Sequence, residues 1–407
     1  MKEKTVLLLI IFTTIVVSTN LYSQQTGVMT KNQIRLDLRV LGDPPLDVIP
    51  AGECAITSLT VGGNGCVYGG TSGKRAHLFE LDPKWGHVFP LGYLEDQESI
   101  FHSMVPAPDS TIYIGTSLIN VGAVDKKEKD VLAKYKGYKG GRIYKFNPIA
   151  ERNSRKRMQI PNPNRILPFT SDLGIAIPGE GIISMVSDGK RIYGVTFPNA
   201  YFFVMDMETG KVINKGVICG QPLHEGLFKS IPKALVVDTT GRVWGARDRG
   251  ELFHFDPKSD KIIYHPDIRL PSVLGREFKA VLDAAVITFE GIIYGGTSDG
   301  FIFRFNPETM KMSNLGKPMW QYRIRGLALS NHGDLYGVGG DRGGAARLFV
   351  YRTQTGEFEN LGMLDVNRNP YYSWIAYEVD SMINGKDGTI FIGESERISY
   401  LYLLFPW

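Results

Sequence analysis

Five side chains that can carry charge or transfer protons recur at equivalent places in a repeated pattern. Each lies eleven residues before the aromatic residue of a short recurring motif, and they are His102, Lys233, Asp283, Arg325 and Asp380. Histidine and lysine can exchange protons near neutral pH when their surroundings shift the pKa, and arginine can neutralise a carboxylate. If the repeats close into a ring, these positions meet around its axis and predict an acid–base site. The alternative is a set of polar groups that only line a water-filled channel.

The motif itself reads aromatic-Gly-x-Thr or a close variant of it. Its aromatic residues lie 45, 80, 51, 50, 42 and 55 positions apart and are Tyr68, Tyr113, Tyr193, Trp244, Tyr294, Tyr336 and Phe391. Alternating runs of β-branched and aromatic residues surround each motif, and Asp-Pro, Asn-Pro or Gly turns separate these runs. Four short strands per unit at this spacing are typical of propeller blades. The sequence therefore predicts an all-β, seven-bladed β-propeller as a single domain over residues 25–407.

The two ends of the chain predict how the ring closes. The seventh unit runs out at Trp407 after what read as three strands, and an additional strand-like segment, Ile34 to Leu41, stands near the start. We expect this segment to pair with residues near Tyr400 to Leu404 as the outer strand of the last blade. Such pairing would also remove an exposed strand edge.

The 80-residue interval holds two insertions. Leu118–Lys139 is predicted between strands two and three of the second blade, and Met158–Pro178 in the link to the third, which would place both on one face. Residues 118–178 contain thirteen Lys and Arg against five Asp and Glu, whereas the whole chain carries only +4. We expect this basic region to attract a polyanion, with Tyr135 and Tyr138 stacking on sugar rings. A solvated basic loop is the alternative.

The N-terminus predicts export. Lys2 and Lys4 precede an apolar run, Val6 to Val17, and a polar segment ends near Gln24, as in a cleaved signal peptide over residues 1–24. Twelve apolar residues are too few for a membrane span, which needs about 20, and no other stretch is long enough. Three cysteines predict buried thiols rather than disulfides or a metal site. The sequence holds no phosphate loop, zinc signature or calcium loop, so no cofactor or metal is expected.

The seven motifs, the leader, and His77 and His102 together resemble the seven-bladed propeller polysaccharide lyases of the ulvan-lyase type. They also resemble relatives of these lyases that cleave terminal rhamnose linked to glucuronate. The resemblance implies β-elimination beside a uronate carboxylate, with His77 and His102 at the family's two histidine positions. The family's tyrosine and arginine have no counterparts here, and Tyr201, Lys233 or Arg325 are the possible substitutes.

The resulting hypothesis is an exported lyase or glycoside hydrolase for an acidic, uronate-containing polysaccharide. His102 and His77 are its predicted catalytic residues, and the predicted substrate-binding residues are Lys233, Arg325, Asp283, Tyr201, Tyr135 and Tyr138. Nucleic acid is not an expected partner of an exported protein. A non-catalytic glycan-binding propeller and a protein-interaction scaffold remain the alternative functions.

Overall fold

The protein is described from a computed structural model, which covers residues 49–84, 86–118, 128–155, 161–220, 230–340, 344–369 and 372–406, with the backbone of two short strands at 28–29 and 33–37. Seven antiparallel sheets follow one another along the chain, and each contains four strands of a blade. The predicted all-β, seven-bladed propeller is thereby confirmed. Within this part of the chain, no helix is long and apolar enough to cross a bilayer.

The strands, in chain order, are β1 (Val28–Met29), β2 (Gln33–Asp37), β3 (Ala55–Val61), β4 (Val67–Ser72), β5 (Ala76–Asp82), β6 (His87–Leu94), β7 (Met104–Pro106), β8 (Ile112–Gly115), β9 (Arg142–Phe146), β10 (Thr170–Ile175), β11 (Gly181–Ser187), β12 (Arg191–Phe197), β13 (Tyr201–Asp206), β14 (Val212–Val217), β15 (Val236–Val237), β16 (Val243–Ala246), β17 (Glu251–Asp256), β18 (Lys261–Arg269), β19 (Leu282–Ile287), β20 (Ile293–Thr297), β21 (Ile302–Asn306), β22 (Lys311–Gly316), β23 (Ile324–Leu329), β24 (Leu335–Gly339), β25 (Arg347–Arg352), β26 (Glu357–Met363), β27 (Asp365–Asn369), β28 (Tyr372–Ile375), β29 (Val379–Asn384), β30 (Ile390–Glu394) and β31 (Tyr400–Leu404). Two helices, α1 (Glu128–Tyr135) and α2 (Pro148–Ser154), and two 3₁₀ turns, Asp248–Gly250 and Glu277–Lys279, complete the elements. Blades one to six use β3 to β26 in consecutive groups of four, β27 and β28 form a hairpin in the next link, and blade seven contains β29, β30, β31 and β2.

The glycine of the recurring motif has a packing role that explains its repetition. In five blades it lies directly opposite a phenylalanine of the third strand, and the pairs are Gly69–Phe79, Gly194–Phe203, Gly245–Phe253, Gly295–Phe303 and Gly337–Phe349. A Cβ atom at any of these glycines would overlap the phenylalanine ring. The motif therefore places a large buried ring at the centre of each of these blades, and close packing leaves no room for a side chain beside it.

The N-terminal strand pairs where the sequence predicted. Strand β2 runs antiparallel to β31, with Gln33 opposite Leu404 and Asp37 opposite Tyr400. Residues 38–41 of the predicted segment lie outside the described residues. Closure of the ring by this strand remains a prediction.

Removing this strand tests closure. A variant that lacks residues 25–41 should melt about 5–10 °C below the 25–407 protein, because β31 would lose its partner and become an exposed edge. Calorimetric melting of both proteins measures the difference. A variant that lacks only residues 25–27 is the control and should match the parent. Equal melting temperatures for all three proteins would show that the strand does not close the ring.

The second insertion is not where the sequence predicted it. Strand β10, the fourth strand of blade two, lies inside Met158–Pro178, so the insertion is the connection 147–169 between β9 and β10. This connection leaves β9 and enters β10 at the end of the sheet opposite to the end that carries the Leu118–Lys139 insertion. The two insertions therefore lie on opposite faces of the propeller, and the prediction of a shared face was wrong. The largely exposed sequence of β10, Thr-Ser-Asp-Leu-Gly-Ile, lacks the apolar alternation that marks the other strands.

The basic charge of this insertion is largely neutralised by nearby carboxylates. Helix α2 packs beside blade one, where Arg152 binds Glu80 at 3.1 Å and Arg155 binds Glu80 at 3.1 Å and Glu151 at 2.8 Å. Arg165 also binds Glu151, at 2.7 Å. Because Glu80 and Glu151 are fully buried, these arginines act as counter-ions that stabilise the blade. The described part of the region therefore offers less free positive charge to a polyanion than its composition indicates.

Blade four contains a histidine pair that the sequence did not reveal. His265 belongs to β18, and its Nε2 lies 2.8 Å from Nδ1 of His254 on β17. The two rings stack with centroids 5.0 Å apart, and both contact Trp244. Burial and the proximity of the two rings lower the pKa of His254 to about 4, and burial with nearby Arg242 lowers the pKa of His265.

This pair predicts acid sensitivity. The folded protein holds both rings neutral, whereas the unfolded chain binds protons near pH 6.5, so stability is full above that pH and falls as the pH approaches the folded pKa of about 4. We expect the melting temperature to drop by about 3–6 °C between about pH 7 and about pH 5. The double variant His254→Gln/His265→Gln should show a smaller drop, and the exposed His332→Gln should not change it. An unchanged drop in the double variant would contradict the assignment.

The three cysteines confirm the expectation of buried thiols. Cys54, Cys66 and Cys219 are all buried, and none of the three forms a disulfide. Burial beside Glu80 raises the pKa of the Cys66 thiol to about 12. A thiol with so high a pKa is almost entirely protonated at neutral pH and is a poor nucleophile.

Candidate functional site

The innermost strands of the seven blades and the links that precede them surround a cavity of about 220 Å³ on the propeller axis. The five charged or titratable positions identified from the repeat all line it, namely His102, Lys233, Asp283, Arg325 and Asp380. The equivalent positions of the other two blades, Thr57 and Ile182, are not among the lining residues. The repeat thus brings together groups that are more than 270 residues apart in sequence. We call these five residues together with Arg323 the channel site.

Two ion pairs form the framework of the channel site, one buried on both sides and one with a partly exposed arginine. Arg325 Nη1 donates to Asp380 Oδ1 at 2.9 Å, and Arg325 Nε donates to the carbonyl of Gly340 at 3.3 Å. Arg323 donates two hydrogen bonds to Asp283, at 2.9 and 2.6 Å. Burial alone would raise the pKa of Asp283, but Arg323 together with Lys233 and Arg325 holds it below its usual value. Both carboxylates are therefore ionised at neutral pH.

Arg323 was missed by the sequence analysis. It lies two residues before Arg325 and outside the aligned positions, and its backbone has the left-handed value φ = 63°. This conformation is uncommon for a residue other than glycine. The available signal was the Arg-x-Arg spacing at the start of blade six, but only the turn geometry shows that the first arginine pairs with the neighbouring blade.

Lys233 differs from an ordinary lysine in two ways, because its amine has no hydrogen-bond partner among the described residues and its pKa is strongly lowered. Its Nζ is buried 3.9 Å from Asp283 Oδ1 and 5.8 Å from the ring centroid of Phe101, and it has no hydrogen-bond partner in the described structure. Burial is the main cause that lowers the pKa of Lys233 to about 7, and the positive charge of Arg323 adds to it. An amine whose pKa lies near neutrality can both accept and donate a proton.

His102 is held in a fixed and unusual backbone conformation beside this lysine. Its φ is 48°, its N–H donates to the carbonyl of Thr57 at 3.1 Å, and its carbonyl accepts from the N–H of Met185 at 3.0 Å. The imidazole packs edge-on against Phe101, with centroids 4.3 Å apart. Burial lowers the pKa of His102 to about 4, so the ring is neutral at pH 7. Left-handed backbone at a non-glycine residue is costly and is often kept at functional sites.

His77 does not join His102 as predicted. Its Nε2 lies 2.7 Å from Glu53 Oε2, its ring packs edge-on against Tyr93, and the side chain is 1% exposed. It is not among the residues that line the channel. His77 lies at the start of β5, which is the third strand of blade one, and the third strand of a blade lies away from the axis. The structure thus gives His77 a structural contact with Glu53, which also binds Arg75, rather than a place beside the cavity.

The three tyrosines predicted to bind sugar also lie away from the channel. Tyr135 is buried, with its ring 5.2 Å from that of Phe197 and 5.4 Å from that of Tyr138, so it offers no open face for stacking. Tyr138 lines a separate cavity of about 600 Å³ at the outer edge of blades one and two. Tyr201 begins β13 and packs between blades two and three. Neither Tyr138 nor Tyr201 contributes to the channel lining.

The described residues contain no group of three or more His, Cys, Asp or Glu side chains placed to hold a metal ion. The groups that the channel site itself contributes are those of its six residues. It offers an amine that titrates near pH 7, a neutral imidazole, two arginines and two carboxylates. With Lys233 protonated the set carries three positive and two negative charges, so it favours an anionic ligand.

The comparisons with known proteins support the fold. No protein-family model and no curated protein matches this sequence. A streptogramin B lyase structure superposes with a TM-score of 0.62 at 10% identity, covering 93% of this chain and 98% of that one. Virginiamycin B lyase from Staphylococcus aureus superposes with a TM-score of 0.59 at 10% identity, covering 92% of this chain and 99% of that one. The extracellular domain of a hybrid two-component system from B. thetaiotaomicron superposes with a TM-score of 0.56 at 15% identity, covering 87% of this chain and 38% of that one. At these identities the likeness concerns the propeller fold and nothing finer.

Proposed function

We propose that this chain is an exported lyase that cleaves an acidic, uronate-containing glycan at the channel site. The observation that carries the proposal is Lys233, a buried amine without a hydrogen-bond partner that faces a polar cavity and has a pKa of about 7. A base is most effective when its pKa lies near the working pH.

The proposed reaction is β-elimination. Neutral Lys233 takes the proton from the carbon next to the uronate carboxylate, the electron pair of that C–H bond forms a C=C bond, and the glycosidic C–O bond on the following carbon breaks. The departing oxygen takes a proton from water. Arg323 and Arg325 stabilise the negative charge that develops on the carboxylate. Neutral His102 is a hydrogen-bonding and positioning group, a change from the acid–base role predicted from sequence, because its pKa of about 4 makes it a weak base.

Three of the structural neighbours are named as lyases, and three are extracellular domains from B. thetaiotaomicron. These names agree with elimination chemistry on this scaffold and with export. The signal-like segment over residues 1–24 gives independent support for export. The acidic glycan is proposed from the two arginines of the channel site, which can bind a carboxylate, together with the resemblance found in the sequence.

A second function, glycan binding without catalysis, is favoured by one observation. Both arginines and both carboxylates of the channel site are already engaged in ion pairs at 2.6–2.9 Å. A purely structural role, holding the inner strands together, is sufficient to explain an ion-pair network of this kind. A bound carboxylate would have to compete with Asp283 or Asp380 for the arginines. The small cavity volume of about 220 Å³ also fits one sugar residue better than a chain.

One assay separates the two functions. The 25–407 protein is incubated with polygalacturonate, glucuronate-containing glycans and rhamnose-glucuronate glycans while ultraviolet absorbance is followed, because the new C=C bond conjugated to the carboxylate absorbs there. An increase in absorbance supports elimination. Binding of a glycan by calorimetry without any increase supports the second function. Absence of both across the panel would contradict both functions.

A further inference from the structure

A second cationic and aromatic cluster lies on the links that follow blades four and five. The Arg276 guanidinium is 5.1 Å and the Lys317 Nζ 4.9 Å from the ring centroid of Tyr322. Trp320 lies in the same link as Tyr322, two residues before it. We call these four residues, Arg276, Lys317, Trp320 and Tyr322, the rim site. None of them lines the channel cavity.

The rim site holds two like charges close together with one carboxylate between them. Asp299 is 1% exposed at its side chain and binds Arg276 at 3.2 Å, while its Oδ2 accepts from the backbone N–H of Val273 at 3.0 Å. Burial and the repulsion of Arg276 lower the pKa of Lys317 despite the opposing effect of Asp299. The Nε of Arg276 is buried and has no hydrogen-bond partner among the described residues. A bound anion would reduce the repulsion between the two cations and give this cluster a balancing charge.

The same cluster exposes a large aromatic surface. Trp320 is 71% exposed and Tyr322 is 45% exposed. Leu274, 94% exposed on the preceding link, adds apolar area. Exposed apolar surface of this kind, next to charged groups, is typical of binding sites. Aromatic rings present flat apolar faces, and the C–H faces of sugar rings can pack on them while sugar carboxylates meet the cations.

The backbone joins the rim site directly to the channel site. Tyr322 belongs to the rim site, and the next residue, Arg323, binds Asp283 in the channel. Their Cα atoms are about 3.8 Å apart, the distance across one peptide. The N–H of Arg323 donates to the carbonyl of Ser298, the residue before Asp299, at 3.2 Å. One short stretch of chain therefore holds both sites in a fixed relation.

We infer that the rim site binds the adjoining residues of an acidic oligosaccharide whose reacting uronate occupies the channel site. This inference rests on the proposed function and adds the part of the substrate that lies beyond the bond to be broken. Sugar rings stack on Trp320, and a carboxylate of the chain lies between Arg276 and Lys317. The protein consequently prefers chains over single sugars.

The test compares short and long ligands. Calorimetry measures the Kd of dimers and hexamers of galacturonate and of glucuronate–N-acetylglucosamine for the parent, Trp320→Ala and Lys317→Gln. Loss of an aromatic contact should weaken hexamer binding about 5–10-fold in Trp320→Ala, with dimer binding unchanged. Lys317→Gln should weaken it less and reduce its dependence on salt, because one cation is removed. Phe289→Ala is the matched control, since this ring is 98% exposed in the turn between β19 and β20, at the opposite ends of the strands.

The outcomes separate this inference from the proposed function. Hexamer binding that depends on Trp320 without product formation supports the rim site and contradicts elimination. Product formation with unchanged hexamer binding in both rim variants overturns the rim site and leaves elimination standing. Equal losses for dimer and hexamer would place Trp320 at the reacting sugar and also overturn the inference. A parent that binds neither hexamer overturns both.

Discussion

Lys233→Met is expected to lower the elimination rate by about 10²–10⁴-fold, the usual contribution of a group that transfers a proton. Methionine has similar length and no amine, so the cavity keeps its shape while the base is lost. The variant should be at least as stable as the parent, because burying an amine without a hydrogen-bond partner is unfavourable. The initial rate of absorbance increase measures the effect, and melting in parallel shows that the variant is folded.

The pH profile gives an independent signature of the same group. Because Lys233 must be unprotonated to act as the base, the parent's rate should rise with pH through about 7 and then level off. Lys258→Met, in the exposed turn between β17 and β18, should keep the parent's rate and profile. A folded Lys233→Met protein with the parent's rate would remove this residue from the mechanism. A glycan-binding protein without turnover would leave no profile to measure.

Arg325→Met is expected to lower the free energy of unfolding by about 3–5 kcal/mol, the usual cost of removing one partner of a buried ion pair. Arg325 and Asp380 are 4% and 3% exposed, and the substitution leaves the carboxylate without its guanidinium. Denaturant unfolding measures the change. Burial alone would raise the pKa of Asp380, but Arg325 and Lys233 keep it low. The ion pair therefore contributes its full stability above pH 3.8, the ordinary pKa of an aspartate, and this contribution is lost as the pH falls through the pKa of Asp380 in the folded protein.

A double variant distinguishes this electrostatic cost from simple loss of packing. Arg325→Met/Asp380→Asn removes both charges and should recover a large part of the stability lost in the single variant. If the single variant is as stable as the parent, the ion pair does not hold blades six and seven together. If the double variant is no more stable than the single one, the loss comes from packing and not from an uncompensated charge.

The repeating part of the architecture was predictable from sequence because its causes are local. Alternation of apolar and polar residues sets which side of a strand is buried, and each motif glycine must face a ring such as Phe79 or Phe303. Seven equal units then place equivalent positions around one axis. That is why counting back from the motif identifies His102, Lys233 and Asp283 as neighbours around the axis. The expected place of β2 beside β31 has the same origin, since the sequence of the last blade contains only three strands.

The remaining features depend on contacts between residues distant in sequence, which no local pattern contains. The ion pairs of Glu80 and Glu151 with α2 turned a basic segment into a buried network. A left-handed turn brought Arg323 to Asp283 on the neighbouring blade. The pKa of Lys233 is set by burial and by charges from other blades, and neither is a property of the lysine itself. The sequence determined which groups face the axis, and the tertiary structure decided which of them are paired, which are neutral and which can accept a proton.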